Sequence, residues 1–472
     1  MLNRRDLIKL TAVGGAVAAF PLERIMGGGE SGPRVAAFAT ALHIPPAAKP
    51  VHQSATTDFY FVGVHEAEAE ILPGVKSKVL TYDGKFPGAT IHAKRGREVA
   101  VTYVNAMAES TVVHLHGAHV AAASDGHPTD LIKSGDQKQY RYPNTQQAAS
   151  LWYHAHAHHS EAEQVYRGLA GMYLLHDEAE RSLGLPEGEF DVPLLLRDVH
   201  IDAAGKLVYT AGGFEERRTL LVNGRVQPYF RVSARKYRLR FYNGSNERAY
   251  RLRLADTSSF QLIGSDGGLL PAPVTATSFD LWPGERVEAV IDFSRYPVGT
   301  QLVLFNDLGD VESTQQVMRF DVTRTATDDS RVPAVLRPLQ DLGTPTVHRE
   351  VELKLDLQRG AFVIDGRIFD PARVDQQIKL GTTEIWTIRN ADTQPSIPHN
   401  LHLHLVQFQV LDRNGKPVGG HESGPKDTVT IPPGGNVRIK VRFDGHEGRY
   451  VYHCHMLDHS ATGMMGQMEI KR

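Results

Sequence analysis

Twelve side chains able to bind a soft or borderline metal ion fall in four short stretches of this 472-residue chain. "HLHG" carries His114 and His116, "WYHAH" carries His154 and His156, and "HNLHLH" carries His399, His402 and His404. "HCHMLDHSATGM" carries His453, Cys454, His455, His459 and Met464. In an extended strand, residues i and i+2 share a face, so each His-x-His presents two imidazoles side by side. Four such pairs exceed the needs of one ion and suffice for several. Cys454 is the only cysteine. The same alternation throws its thiolate to the face opposite His453 and His455. It therefore belongs to a different metal from its neighbours while being joined to both by a few covalent bonds, as a wire would be. Cys454 with His459 and His399 makes a His₂Cys set, and Met464 adds a weak axial thioether, the blue-copper pattern. Zinc accepts Cys and His but has no use for a thioether or for eight further imidazoles.

A lone His-x-His, or a lone buried methionine, is ordinarily a surface coincidence or core filler. Here the sets occupy the two ends of the chain and skip its middle, which chance does not produce. "HAHAHH" offers a competing register through His158 and His159. "LWYH" reads as a strand leading into His154 and His156, which favours those two and leaves His158 outside the ligand set or facing solvent.

The elements that must position these groups are strands. "EVAVTYVN", "KYRLRFYN", "RVEAVIDF" and "VRIKVRFDG" alternate apolar and polar residues with period two. Turn signals such as Asp83-Gly84, Asn223-Gly224 and Asp365-Gly366 separate them. Short strands at this spacing predict an all-β chain of Greek-key sandwiches. "KFPGATIHAKRGREVAVTYVN", "LVNGRVQPYFRVSARKYRLRFYN" and "FVIDGRIFDPARVDQQIKLGTTEIWTIRN" share one order: short strand, turn, extended stretch, alternating strand ending in Asn105, Asn243 or Asn390. That internal repetition predicts three related domains near 35–178, 185–325 and 345–472, with Asp328 to Thr346 as the longest connector.

Lys plus Arg number 52 against 54 for Asp plus Glu, and no dense basic block appears, which argues against a nucleic-acid partner. One cysteine excludes an intramolecular disulfide framework. Residues 1–34 open "MLNRRDLIKLTAVGGAVAAF", twin arginines before an apolar run too short to span a bilayer. They read as a twin-arginine export signal and linker, so export to the periplasm, cell surface or medium is expected, with no membrane span in the mature protein.

"HLHGAHVAAASDGHP", "LWYHAH", "VYRGLAGMYLLHD", "IGSDGGLLP", "GTTEIWTIRN" and "RYVYHCHMLDH" resemble the multicopper oxidases, in the bacterial branch with spore-coat laccase and bilirubin oxidases. The resemblance runs from about residue 55 to the end. It implies three cupredoxin-like domains and four copper ions. The type 1 copper would sit in the third domain on His399, Cys454, His459 and Met464. A trinuclear cluster would lie between the first and third domains. Its type 2 copper would take His114 and His402; one type 3 copper His116, His154 and His455; the other His156, His404 and His453. It also implies a laccase-like reaction, in which a phenolic or aromatic amine donor is oxidised and dioxygen is reduced to water. Asp125 matches an acidic position near the type 2 copper and is assigned to proton delivery. Close relatives carry a glutamate directly after the last type 1 histidine, where this chain has Ser460. Asp458 is the candidate to replace it, and slower or more pH-sensitive dioxygen reduction is expected. With nine methionines and no cluster before the last motif, a dedicated cuprous oxidase in copper tolerance is the lesser reading. A copper nitrite reductase would not need a trinuclear set, and a non-enzymatic envelope protein of this fold would not need its ligands.

Overall fold

The computed structural model describes residues 36–472, and the expected export signal lies outside them. Strands dominate and fall into consecutive pairs of sheets. The first pair has a five-stranded sheet around Thr57–Leu72, Glu98–Asn105 and Gln137–Tyr142. Its partner orders Gly88–Lys94, Ala170–His176, Ala149–Ala155 and Val113–His116. An eight-stranded and a five-stranded sheet follow, then a six-stranded and a five-stranded sheet. Each pair encloses its own apolar core. No helix among the described residues is long and apolar enough to cross a membrane.

The internal repetition has a structural counterpart in each pair of sheets. Thr57–Leu72 runs parallel to Glu98–Asn105, Asp191–Ile201 to Lys236–Asn243, and Val347–Asp356 to Thr383–Asn390. The three terminal asparagines make one hydrogen-bond pattern. Asn105 donates to the carbonyls of Glu109 and Ile132, and its Oδ1 accepts from the Met107 amide. Asn243 does the same with Arg248, Leu281 and Ser245, and Asn390 with Ile397, Ile431 and Asp392. One amide side chain thus satisfies three backbone groups where each strand leaves its sheet, which explains an asparagine at all three positions.

Strands that carry the histidines are buried on both faces, as are the central strands of the middle sheets, Lys236–Asn243 and Arg286–Asp292. Val113–His116, Ala149–Ala155 and His399–Leu403 have no exposed residue. Their alternation separates two buried environments. Val113, Leu115, Leu151, Tyr153 and Ala155 fill the first core, whereas His114, His116, Trp152 and His154 face outward. Leu401, Leu403, Tyr450, Tyr452 and Cys454 fill the third core, whereas His402, His404, His453 and His455 face outward. The connector between the second and third sheet pairs has no regular structure. It is tied down by Arg337, whose guanidinium makes two bonds to Asp177 at 2.8 and 2.7 Å.

Candidate metal centres

Strand pairing assembles the outward histidines. Antiparallel register sets His114 opposite His154 in the first sheet pair and His402 opposite His453 in the third. The two outward faces then meet. His114 stacks on His404 with ring centres 3.8 Å apart, and His116 on His402 at 3.7 Å. All eight outward imidazoles are at most 1% exposed.

Donor chemistry decides whether these sets suit a cation. His404 Nδ1 lies 2.8 Å from Asp125 Oδ2 and His453 Nδ1 lies 3.0 Å from the Cys454 carbonyl. Those acceptors fix the ring proton on Nδ1 and leave a lone pair on Nε2. His156 Nδ1 sits 2.8 Å from Glu161 Oε2, at an angle outside ordinary hydrogen-bond geometry. The three Nε2 atoms nonetheless converge at 3.2–3.3 Å from one another. Lone pairs do not face each other at that distance in a dry site unless a cation sits among them. In a second set, His116 Nδ1, His154 Nε2 and both nitrogens of His455 are buried without any partner. Orphaned buried nitrogens converging on one point are metal ligands in waiting. Asp427 occupies the other nitrogen of His116 at 2.9 Å, and the Ala155 carbonyl that of His154 at 2.9 Å. In a third set, His114 Nε2 and His402 Nε2 lie 3.4 Å apart, with their Nδ1 atoms on the carbonyls of Asp125 and Asp427.

The fourth set lies inside the third core. Cys454 Sγ is 3.6 Å from His459 Nδ1 and 4.0 Å from His399 Nδ1, and those nitrogens are 3.3 Å apart. Asp392 accepts from His399 Nε2 at 2.8 Å and so aims the Nδ1 lone pair inward. Met464 is fully buried in the same cluster, and its carbonyl accepts from the Cys454 amide at 3.1 Å. Burial pushes the thiol up to about 12 and drives most of these imidazoles down, His154 to about 3 and His453 to about 4. Neutral imidazoles and a thiol reluctant to ionise suit a soft, strongly bound ion that can displace a proton. The four donor sets therefore fit copper.

The sequence alternation has a sharper form here than expected. The hydrogen-bonded strand Gly448–His453 ends one residue before the cysteine. Parity persists because the Cys454 amide pairs with Met464 and the His455 amide with Asn400 Oδ1 at 2.6 Å. His158 lies outside the sets, its ring against His159 and Phe369.

Asp125 is 1% exposed and joins His404 to the backbone beneath His114. Burial raises its carboxyl to about 7. Asp458 is a correction. Its carboxylate points to the middle sheets, where Arg217 holds it at 2.5 Å and Asn246 at 3.0 Å. A group locked in that ion pair does not serve the cluster. A different acid lies against Ser460: Glu161, on the helix Glu161–Arg167. Ser460 Oγ donates to Glu161 Oε1, and Oε2 faces His156. Burial alone would raise the Glu161 carboxyl, but His156, His453 and Ser460 outweigh it and hold it at about 2. Glu161 is not among the residues the sequence motifs single out; its signal is an acid five residues after His156, at the start of a helix.

Multicopper oxidase family models match residues 63–180, 190–327 and 344–472. A laccase of Bacillus subtilis is 36% identical, over 92% of this chain and 98% of its own length. A bilirubin oxidase of Albifimbria verrucaria is 35% identical, over 92% of this chain and 81% of its own. A solved laccase from Pediococcus acidilactici superposes with a TM-score of 0.87 at 32% identity, covering 94% of this chain and 95% of that one. With four copper-fitting donor sets in an all-β frame and family matches in three consecutive segments, this chain belongs to the multicopper oxidase family.

Proposed function

We propose that the chain is a laccase-like oxidase: four one-electron oxidations of a phenolic or aromatic amine donor are coupled to reduction of one dioxygen, with four protons, to two waters. The observation that carries this reading is the division made by Cys454. Its sulfur joins His399 and His459, while His453 and His455, one peptide unit to either side, join two different outward sets. In this proposal four coppers are held. His399, Cys454, His459 and Met464 take the type 1 ion, and His114 and His402 the type 2 ion. His116, His154 and His455 take one type 3 ion, and His156, His404 and His453 the other. Copper supplies one-electron redox chemistry at the first centre and dioxygen binding and reduction at the other three.

The protein's own residues do the rest. His459 is the most exposed of the ligands, at 5%, and Phe362 stacks on its ring with centres 3.7 Å apart. That edge is where a flat, apolar donor approaches. Burial of the remaining ligands excludes water from both centres. Asp125, poised near neutrality, carries protons at Oδ1, the buried oxygen left without a partner while Oδ2 accepts from His404. Glu161, ionised, sets a negative charge beside His156 Nδ1 through Oε2.

The cuprous oxidase reading loses further ground because all seven described methionines are buried, which leaves no exposed thioether among the described residues to collect Cu(I). Complete ligand sets oppose a non-enzymatic role. The twin-arginine reading of residues 1–34 extends the proposal to export of the folded, metal-loaded protein through the twin-arginine machinery to the periplasm, cell surface or medium. Oxygen uptake with a phenol, bilirubin and Cu(I) at matched concentrations tests the reading. Turnover of the organic donors at one dioxygen per four electrons is expected, faster than with Cu(I). Preferential turnover of Cu(I), or no dioxygen uptake at full copper loading, overturns it.

A further inference from the structure

Thirteen histidines lie outside the copper-fitting sets. Two of them, His92 and His176, come together on the neighbouring parallel strands Gly88–Lys94 and Ala170–His176. His92 Nδ1 and His176 Nε2 are 3.4 Å apart, in rings tilted by only 8° with centres separated by 5.6 Å. Centres that far apart, with nitrogens that close, mean that the two rings meet nitrogen to nitrogen rather than face to face. The outward pair His114 and His402 shows the same two numbers, 3.4 Å and 5.6 Å. A direct hydrogen bond from an N–H donor normally spans about 2.7–3.2 Å. The wider gap suits an ion bound by each nitrogen at about 2.0–2.1 Å.

The tautomer is set from outside the pair. Glu180 Oε2 accepts from His176 Nδ1 at 3.1 Å, which leaves the Nε2 lone pair facing His92. Glu180 is itself fixed, its Oε1 accepting from Arg238 at 2.7 Å. A surface cavity of about 290 Å³ opens beside the rings and leaves room for water on the remaining coordination positions. Both histidines belong to the first sheet pair and Arg238 to the second, so the group lies at their junction.

We propose that His92 and His176 form a further metal site, distinct from the copper centres, for a borderline divalent transition ion such as Zn(II) or Cu(II). Two imidazoles, one of them oriented by a carboxylate, select such ions over Mg(II) or Ca(II). An ion here joins the strand Gly88–Lys94 to Ala170–His176 and, by fixing His176, steadies the Glu180–Arg238 bridge that clasps the first sheet pair to the second.

Equilibrium dialysis of the copper-loaded protein against Zn(II) alone tests the site, because zinc leaves the blue absorption of the type 1 centre undisturbed. The expected result is one zinc above the copper complement, no uptake of Mg(II), and zinc affinity at least about tenfold weaker in both His92→Ala and His176→Ala. His92 is exposed, so its replacement leaves the fold and basal donor oxidation intact. No zinc above the copper complement, or uptake that both variants leave unchanged, overturns the site. A rise in melting temperature with zinc in the parent, absent in His92→Ala, is expected of the clasp; an unmoved melting temperature overturns that part.

Discussion

At the scale of residues, the donors do less alone than through the groups that hold them. Every copper-fitting imidazole with an assigned proton owes it to an oxygen: Asp125, Asp427, Asp392 or a backbone carbonyl. Asp125 differs in being poised near neutrality. Asp125→Asn keeps the shape and a hydrogen-bonding oxygen but removes a titrating group. Dioxygen consumption is expected to fall by about 10²–10⁴-fold. Anaerobic bleaching of the blue colour by a phenol should continue at the parent rate. Equal loss of both steps would place Asp125 in the structural frame instead. Glu161 calls for a different variant. Glu161→Gln keeps the side chain's length and removes the charge beside His156, which should weaken copper at that set by about 10–100-fold. Metal analysis after mild chelation reads this directly. Ser460→Glu, which would have restored an expected acid, now sets a second carboxylate against Glu161 in a site with no solvent exposure. It should lower the melting temperature and leave dioxygen reduction no faster. Faster reduction in that variant would mean that the site can use a second acid beside Glu161.

At the scale of elements, the ligand-bearing strands show what the sequence could and could not tell. The alternation in "VHLH", "LWYHA" and "YVYHCH" is legible because a strand's two faces take different partners. Here one face meets a sandwich core and the other a neighbouring domain. The asparagine ending three equivalent strands is legible as a repeat, and the hydrogen bonds of Asn105, Asn243 and Asn390 give its cause. Partners distant in sequence were not legible. Glu161 reaches Ser460 across 299 positions, and Asp458 turns to Arg217 across 241, because helix packing and long loops decide those directions. No spacing rule encodes such meetings. One local feature does transmit to the site. Gly126 has φ +82°, and a Cβ there would lie 2.2 Å from the Val113 carbonyl and 2.8 Å from the His114 Cα. The turn carrying Asp125 therefore rests directly on the strand carrying His114. Gly126→Ala incurs about 1–3 kcal/mol of backbone strain and must also displace that strand. Copper at the outward sets should drop while the blue centre, in another core, persists. Full copper content with an unchanged melting temperature would show that the turn can move away from the strand at little cost.

At the scale of the whole molecule, the middle sheets contribute no ligand, yet they close the cluster. Pro283 accepts from Asn400, whose Oδ1 holds the amide of His455. Gly284 lies so close to His455 that a Cβ would come within 2.8 Å of its ring. Above all, Arg286 is fully buried and donates to both oxygens of Asp427, at 2.7 and 2.5 Å. Asp427 in turn meets His116 Nε2 at 2.9 Å, and its carbonyl meets His402 Nδ1 at 2.9 Å. One arginine from the second sheet pair thus fixes an aspartate of the third, whose carboxylate meets an imidazole of the first and whose backbone carbonyl meets one of the third. Arg286 also donates to the Ser150 carbonyl at 2.9 Å, so all three sheet pairs converge on one guanidinium. Removing it leaves Asp427 as an uncompensated buried charge, a loss of about 3–5 kcal/mol. Arg286→Met should lower the melting temperature and release copper from the outward sets. It should spare the blue centre, whose donors lie inside the third core. A merely destabilised fold would lose both in step, and the double variant separates the cases. Arg286→Met with Asp427→Asn removes the stranded charge and should recover most of the lost stability. It should not recover copper, since an amide cannot give His116 the same acceptor while held by no guanidinium. If the double variant regains full dioxygen reduction, the middle domain is a spacer and Arg286 only one of its fastenings.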